Sequence, residues 1–517
     1  MTDATLPARV TPRTWIGFLL MCLGMFMAIL DIQIVVTSLP SIRAALHIPA
    51  EQMSWVQTSY LIAEIVAIPL TGYLTRLLGM RRLFVIAVTL FAAASAGCAA
   101  SHSLMALILF RVVQGFAGGT LIPAVFSAVF LLFPERLQGP ATTMAGVAAV
   151  FAPTVGPIAG GWLTQSYSWH WLFLVNIVPG IVAAVGAAVT LAKEKINRQE
   201  ALSVDAAALV FLAVALTALE IGLKDAPDHG WGSVRVLALL GTFAIGGTLF
   251  VVRTLRSSTP LVDLHTFSDR NFLVGCILSF VLGIGLFGMT YLMPFFLALV
   301  RGHGALAIGE IMLVTGLTQL VVAPIAVTLE RRIDPRLLTT FGFVLYAAGL
   351  WASTHQTSDT DFRGMIVPQM LRGAATMFCL LPPIRLALGN LPARLVADAS
   401  GLFNLMRNIG GAIGLALIDT VIFSRSAHVG RHITERLRAG DVDVAVSIGI
   451  PRELFLAQAG QPLDPEAAAF VRPLIEKAAL VTAINDAWLM VSLMTVAAVL
   501  LVPFVRKVPA GEAPQLH

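Results

Sequence analysis

The sequence predicts an all-α membrane protein of fourteen transmembrane helices, arranged as two pseudo-symmetric six-helix bundles with a helix pair inserted between them. Three observations carry this. Apolar runs near the ~20 residues that a bilayer demands recur from end to end. Hydrophobic residues make up 57% of the 517 and charged residues only 12%, too few to give a soluble domain its surface. Lysine and arginine alternate between rich and poor connections, as in an oriented polytopic chain.

The runs fall at 14–38, 53–75, 82–101, 104–130, 140–164, 170–192, 202–223, 234–253, 271–299, 305–329, 337–355, 364–389, 397–424 and 485–505. Their length and their lack of period-two alternation favour helices over a barrel. The first run is of spanning length and has no small-residue cleavage site, so it stays as a helix. It carries Asp31, the second run carries Glu64, and the fourth carries Arg111. The fifth holds Gly156, Pro157, Gly160 and Gly161, and the sixth holds Asn176. The seventh and eighth form the inserted pair. The ninth and twelfth are rich in Met and Phe, which suits either ordinary packing or an adaptable cavity. The tenth holds Gln319, the twelfth Arg372, and the thirteenth Asn404 and Arg407. The four cysteines sit inside apolar runs without metal-ligand spacing and read as small packing residues.

Arg9, Arg13, Arg76, Arg81, Arg82, Arg136, Lys193, Arg253, Arg270, Arg332 and Arg336 fall in one set of connections, which is therefore cytoplasmic. Both termini are then inside, and the connection 425–484 is outside by parity. The expected organisation is a cytoplasmic tail (1–13), a first six-helix bundle (14–192) and a linker with the inserted pair (193–270). A second bundle (271–505) contains the loop 425–484, and a cytoplasmic tail (506–517) follows. The net charge of +5 is scattered in short clusters, which does not point to nucleic acid.

The chain repeats itself. PLTGYLTRLLGMRRL at 69–83 aligns with PIAVTLERRIDPRLL at 324–338, and RVVQG at 111–115 with QMLRG at 369–373. Repeated halves around a midplane site are the physical plan of secondary transporters. There is no GxxxxGK[ST] to hold ATP, no HExxH and no GxSxG, so no enzyme activity is expected.

Charges inside lipid-spanning lengths are expensive, and their default reading is functional. At ~1.5 Å per residue, Asp31, Glu64 and Arg111 lie roughly 12, 16 and 12 Å below the outer face, a depth at which they can share a proton site. Two other readings stay open: Arg111 with a carboxylate as a static structural pair, and Glu64 facing only polar neighbours. Gln33, Gln114, Asn176 and Gln319 are polar candidates for a cavity. Arg372, Asn404 and Arg407 suit anionic cargo or bind backbone carbonyls. Glu220, Glu310 and Asp419 read as solvated near the outer surface. Gly156 and Gly160 share a face that lets helices approach closely, and GAIG at 411–414 matches them in the later half.

Five segments in order resemble motifs of the major facilitator superfamily, in its fourteen-helix drug:proton antiporter branch of the EmrB/QacA type. They are LDIQIVVTSLP at 30–40, GYLTRLLGMRR at 72–82, LILFRVVQGFAGG at 107–119, APTVGPIAGGWL at 152–163 and GLFNLMRNIGGAIGLAL at 401–417. The resemblance implies the fold of that family and proton-coupled efflux of small amphipathic compounds, with Asp31 as proton carrier. It implies the conformational motif Gly72, Arg76, Gly79, Arg81 and Arg82, and the fifth-helix motif with Gly156, Pro157, Gly160 and Gly161. No cofactor is expected beyond the proton as coupling ion. Partners are drug-like substrates, membrane lipid and, for relatives in double-membraned bacteria, a periplasmic adaptor and an outer-membrane channel. The family's loop motif usually has an acid where this chain has Arg76, so the usual carboxylate-to-arginine latch of that loop is not expected. The alternatives are a dedicated exporter of one metabolite or siderophore and, from another class, a receptor or intramembrane enzyme.

Overall fold

The computed structural model describes residues 11–48, 52, 55–194, 205–257, 260–330, 332–389, 391–457 and 465–506. Most of both tails, Arg9, Arg331, Gly460 and part of the linker before the inserted pair lie outside the described residues. Fourteen described helices are long and apolar enough to cross a membrane. They are α1 (Pro12–Leu46), α2 (Trp55–Leu78), α3 (Met80–Ala99), α4 (Leu104–Leu132) and α5 (Glu135–Ser166). Next come α6 (Trp171–Thr190), α7 (Ala206–His229), α8 (Val234–Arg256), α9 (Arg270–Leu299) and α10 (Ala305–Glu330). The last are α11 (Pro335–Ala352), α12 (Phe362–Leu388), α13 (Ala393–Arg438) and α14 (Pro465–Val499).

The ends follow ordinary capping rules. Thr11 accepts from the N–H of Thr14 and Pro12 opens α1, where its missing N–H costs nothing. Ser103 and Asp269 cap α4 and α9 in the same way, and Asp361 accepts from the N–H of Phe362 at the start of α12. Gly79 precedes α3 at φ +78°, a conformation that a side chain strains to adopt. A Cβ there would also lie 2.1 Å from the Glu194 carboxylate. The guanidinium of Arg13 donates to the carbonyl of Val189 and that of Arg81 to Ala188, satisfying the free carbonyls at the end of α6. Arg82 is exposed.

The stretch 425–484 is largely helical. α13 continues to Arg438, two short helices cover Val442–Ser447 and Arg452–Ala457, and α14 begins at Pro465. Apolar length sets where a bilayer ends but not where a helix ends. SRSAHVGRHITERLR carries no proline, and the chain turns only at Gly440, with φ +81°.

α1–α6 close around one apolar core, with Phe18, Phe84, Phe91 and Phe133 at its centre. α9–α14 close around another, with Phe272, Phe296, Phe343 and Trp488. The inserted α7 and α8 pack on each other, and α7 packs into the seam between α2 and α13. α8 instead shows Ile245, Leu249 and Val252 on its outside, as a lipid-facing helix does.

α5 lies between α1 of its own half and α10 of the other. A Cβ at Gly156 would sit 2.4 Å from that of Gln33 on α1, and the Gly160 carbonyl accepts from Ser38 of α1 at 3.4 Å. On the far side, a Cβ at Gly309 would lie 2.8 Å from the backbone nitrogen of Ile158, next to Pro157. Gly411 and Gly414 pack against Phe287 and Ile284 of α9, so the GAIG segment repeats in the second half the contact of α5 with α1. Gly309→Leu is expected to slow transport by about tenfold or more, because backbone cannot yield as a side chain can. Purified Gly309→Leu should keep its melting temperature and its ligand binding. Parallel loss of stability and binding would reduce this seam to packing alone.

Candidate functional site

The closest gathering of polar groups lies inside the first half. Asp31 of α1 and Arg111 of α4 are both fully buried and form an ion pair. The other carboxylate oxygen, Asp31 Oδ1, accepts from Gln114 Nε2 at 2.9 Å and from Asn176 Nδ2 at 2.8 Å. Gln114 Nε2 also donates to Ser95 Oγ at 2.8 Å, and Ser95 passes a hydrogen bond to the carbonyl of Phe91 at 2.9 Å.

Arg111 is held by further contacts, among them these. Its Nε donates to the Val56 carbonyl at 3.0 Å and its Nη1 to Gln114 Oε1 at 2.8 Å. Its Nη2 reaches Gln57 Oε1 at 3.4 Å, and its guanidinium lies 4.3 Å from the centre of the Tyr60 ring. Glycines place that ring. A Cβ at Gly115 would be 2.2 Å from the Tyr60 carbonyl and one at Gly118 would be 2.3 Å from its hydroxyl. The QGFAGG segment thus brings α2 against α4, and the cation–π contact follows.

Asp31 only accepts in this arrangement. Oδ1 takes two donors and Oδ2 takes the guanidinium, so a proton on the carboxyl would weaken the ion pair with Arg111 before it touched the carboxamides. Five helices supply the groups: α1, α2, α3, α4 and α6.

The sequence brought Asp31 and Arg111 together at one depth, and the structure sets them side by side. Gln114 and Asn176, read as cavity candidates, lie on Asp31 inside the first half. Gln33 lies against Gly156, and Gln319 and Asn404 are buried, Asn404 donating to the Ser400 carbonyl at 2.9 Å and accepting from Arg407. Glu64 is 3% exposed; among the described residues its carboxylate accepts no hydrogen bond, and its charged neighbours are Arg407, Glu220 and Arg111. Glu220 is not at the surface: it is 8% exposed in the seam where α7 meets α2 and α13. Glu310 is exposed and Asp419 half-buried. Ser95 and Tyr60 escaped the sequence reading, since one polar residue in an apolar run gives no sign of where it faces.

A second charged contact closes the end of the bundle that carries the basic connections. Arg76 Nη1 meets Asp398 Oδ1 at 2.7 Å, joining α2 of the first half to α13 of the second. Arg76 Nη2 donates to the Leu261 carbonyl at 3.3 Å, and the N–H of Asp263 donates to Asp398 Oδ2 at 3.4 Å, so the linker after α8 is tied in. A Cβ at Gly72 would fall 2.0 Å from Asp398 Oδ1. A latch therefore exists where none was expected. Its polarity is reversed, with the arginine on the loop motif and the acid on the opposing half.

Two repeated helix bundles with buried charges and a charged latch between them define a membrane transporter rather than an enzyme. The chain belongs to the major facilitator superfamily, whose model, Major Facilitator Superfamily, matches residues 21–415, and within it to the EmrB-type drug-efflux transporters. It is similar to the Colistin resistance protein EmrB of Acinetobacter baumannii, 40% identical over 409 residues, 78% of this chain and 80% of that one. It is 32% identical over 415 residues to the Multidrug export protein EmrB of Escherichia coli K12, covering 80% of this chain and 81% of the other. Two solved structures share the fold. The human organic anion transporter MFSD10 has a TM-score of 0.59 at 14% identity, covering 95% of this chain and 100% of that one. The proton:xylose symporter XylE has a TM-score of 0.58 at 13% identity, covering 96% and 97%.

Proposed function

We propose that the chain is a proton-coupled antiporter that exports small amphipathic or hydrophobic compounds by alternating access of its two halves. The observation that carries this reading is the buried carboxylate of Asp31, held by a guanidinium and two carboxamides from other helices. A proton entering from the outer side neutralises Asp31 and frees Arg111 to move, since the ion pair is the strongest of its contacts. The helices that supplied the donors then shift, and the seams of α5 with α10 and of α2 with α13 re-form in the alternative arrangement. Release of the proton inside restores the pair. The proton is the coupling ion and no cofactor takes part. The relatives named for drug export and colistin resistance support drug-like cargo.

The protein then sits in the cell inner membrane with both termini in the cytoplasm, and the latch Arg76–Asp398 closes the cytoplasmic end. A periplasmic adaptor and an outer-membrane channel complete the route in a double-membraned cell. Orientation is tested by a single cysteine at Ala439, which is exposed just beyond α13, in a protein lacking the native four. It should react with an impermeant thiol reagent on intact cells; reaction only after membranes are opened would invert the topology. Function is tested by a dye-efflux panel in proteoliposomes with an imposed pH gradient. Gradient-driven movement of several unrelated dyes is expected. Movement of one compound alone would favour a dedicated exporter, and no response to the gradient would remove proton coupling.

A further inference from the structure

Among the described residues, the second half holds a buried arginine with no acid paired to it. Arg372 of α12 is 1% exposed, and its guanidinium lies 4.6 Å from the centre of the Trp488 ring on α14. Its Nη2 has only the sulfur of Met293 on α9, at 3.9 Å. Its Nε and Nη1 have no hydrogen-bond partner among the described residues. One turn earlier on α12, Gln369 is fully buried; its Oε1 accepts from Thr315 at 3.0 Å, and its Nε2 has no partner. Three unpaired donor atoms thus sit on one helix, and among the described residues no carboxylate pairs with the guanidinium.

The first half shows how such a charge is normally compensated. Where RVVQG aligns with QMLRG, Arg111 falls on Gln369 and Gln114 on Arg372, so the arginine and the carboxamide have exchanged places. In the first half the guanidinium meets Asp31; in the second it meets a thioether. The Trp488 face attracts a cation but accepts no in-plane N–H, and a methionine sulfur is a weak acceptor. A buried cation without a counter-charge is strongly unfavourable, so the arrangement calls for an acceptor that is not part of the chain.

We propose that Arg372 and Gln369 form an anion site in the core of the second half, which takes a small monovalent anion of the halide or carboxylate type. The anion is either chloride from the medium or the carboxylate of a cargo molecule. Its charge offsets the guanidinium and its lone pairs take the N–H groups of Arg372 and Gln369. Met293, unbranched and flexible, is the wall that yields to admit it. The site is separate from Asp31 and does not depend on proton coupling.

The test is thermal unfolding of the purified full-length protein in a bulky sulfonate buffer, with chloride or formate added at constant ionic strength. The wild type should show a saturable rise of about 2 °C or more with at least one of them. Chloride alone would identify an anion of the medium, and formate alone the carboxylate of a cargo. Arg372→Met should lose the response and, free of an unpaired charge, should be no less stable than wild type in sulfonate. Gln369→Leu leaves the charge in place and should weaken the response several-fold. No saturable response in the wild type, or an equal one in Arg372→Met, would overturn the proposal.

Discussion

Asp31→Asn is expected to insert, at a cost in stability because it leaves Arg111 buried without its counter-charge, and to abolish uphill efflux. The carboxamide keeps the shape of the site and retains acceptor capacity toward Gln114 or Asn176, but it carries neither charge nor a titratable proton. Arg111 is then left without its counter-ion, although Val56, Gln114, Gln57 and the Tyr60 ring still hold it. Cargo exchange down its own gradient should therefore survive while accumulation against a gradient falls to background. Efflux assays in cells and in proteoliposomes, with and without a pH gradient, separate the two. Glu64→Gln should be milder, because Glu64 shares no hydrogen bond with the Asp31 network and only feels the charge of Arg111. Uphill efflux by Asp31→Asn at near wild-type rate would take Asp31 out of the mechanism.

The reversed latch should respond to charge in a way that size does not explain. Asp398 is almost buried and Arg76 is one-third exposed, so the pair lies between exposed pairs worth ~0–1 kcal/mol and buried ones whose breakage costs about 3–5. A bias of about 1–2 kcal/mol shifts an equilibrium between two conformations by roughly 5- to 30-fold. Arg76→Asp faces two carboxylates across the seam and should open that end and cut transport by about tenfold. Asp398→Arg should do the same with two cations. The double reversal Arg76→Asp with Asp398→Arg should recover part of the activity, less than all because the N–H of Asp263 loses its acceptor. Wild-type transport by the single variants, or a double variant no better than either, would reduce the contact to a bystander.

The sequence made the frame and half of the site legible. Charges stand out against apolar runs, and a rise of ~1.5 Å per residue was enough to put Asp31 and Arg111 at one depth. The rotation of each helix about its axis was not legible, because apolar runs this uniform have no polar face to mark an inside. That is why Gln114 and Asn176 read as cavity residues although they point at Asp31, and why Ser95 went unnoticed. Glu220 was misplaced for another reason. The apolar run ends near Leu223, but α7 continues through Lys224 and Asp225 to His229, which leaves Glu220 nine residues, about 13 Å, below the helix end. The latch was hidden because its logic is a pair. Arg76 departs from the family pattern when read alone, and nothing in the sequence singles out Asp398 as its partner. Only the packing of α2 on α13 brings the two together.

Substrate-induced proton release tests the account most directly. The purified protein, lightly buffered and with a pH indicator, is mixed with a lipophilic dye that it transports. If cargo and proton compete through the Asp31 network, the wild type releases protons on dye binding in a saturable manner, and Asp31→Asn binds the dye and releases none. Equal release from Asp31→Asn, or dye binding to the wild type with no release at any pH between about 5 and 8, where coupling groups of transporters must titrate to work, would contradict it.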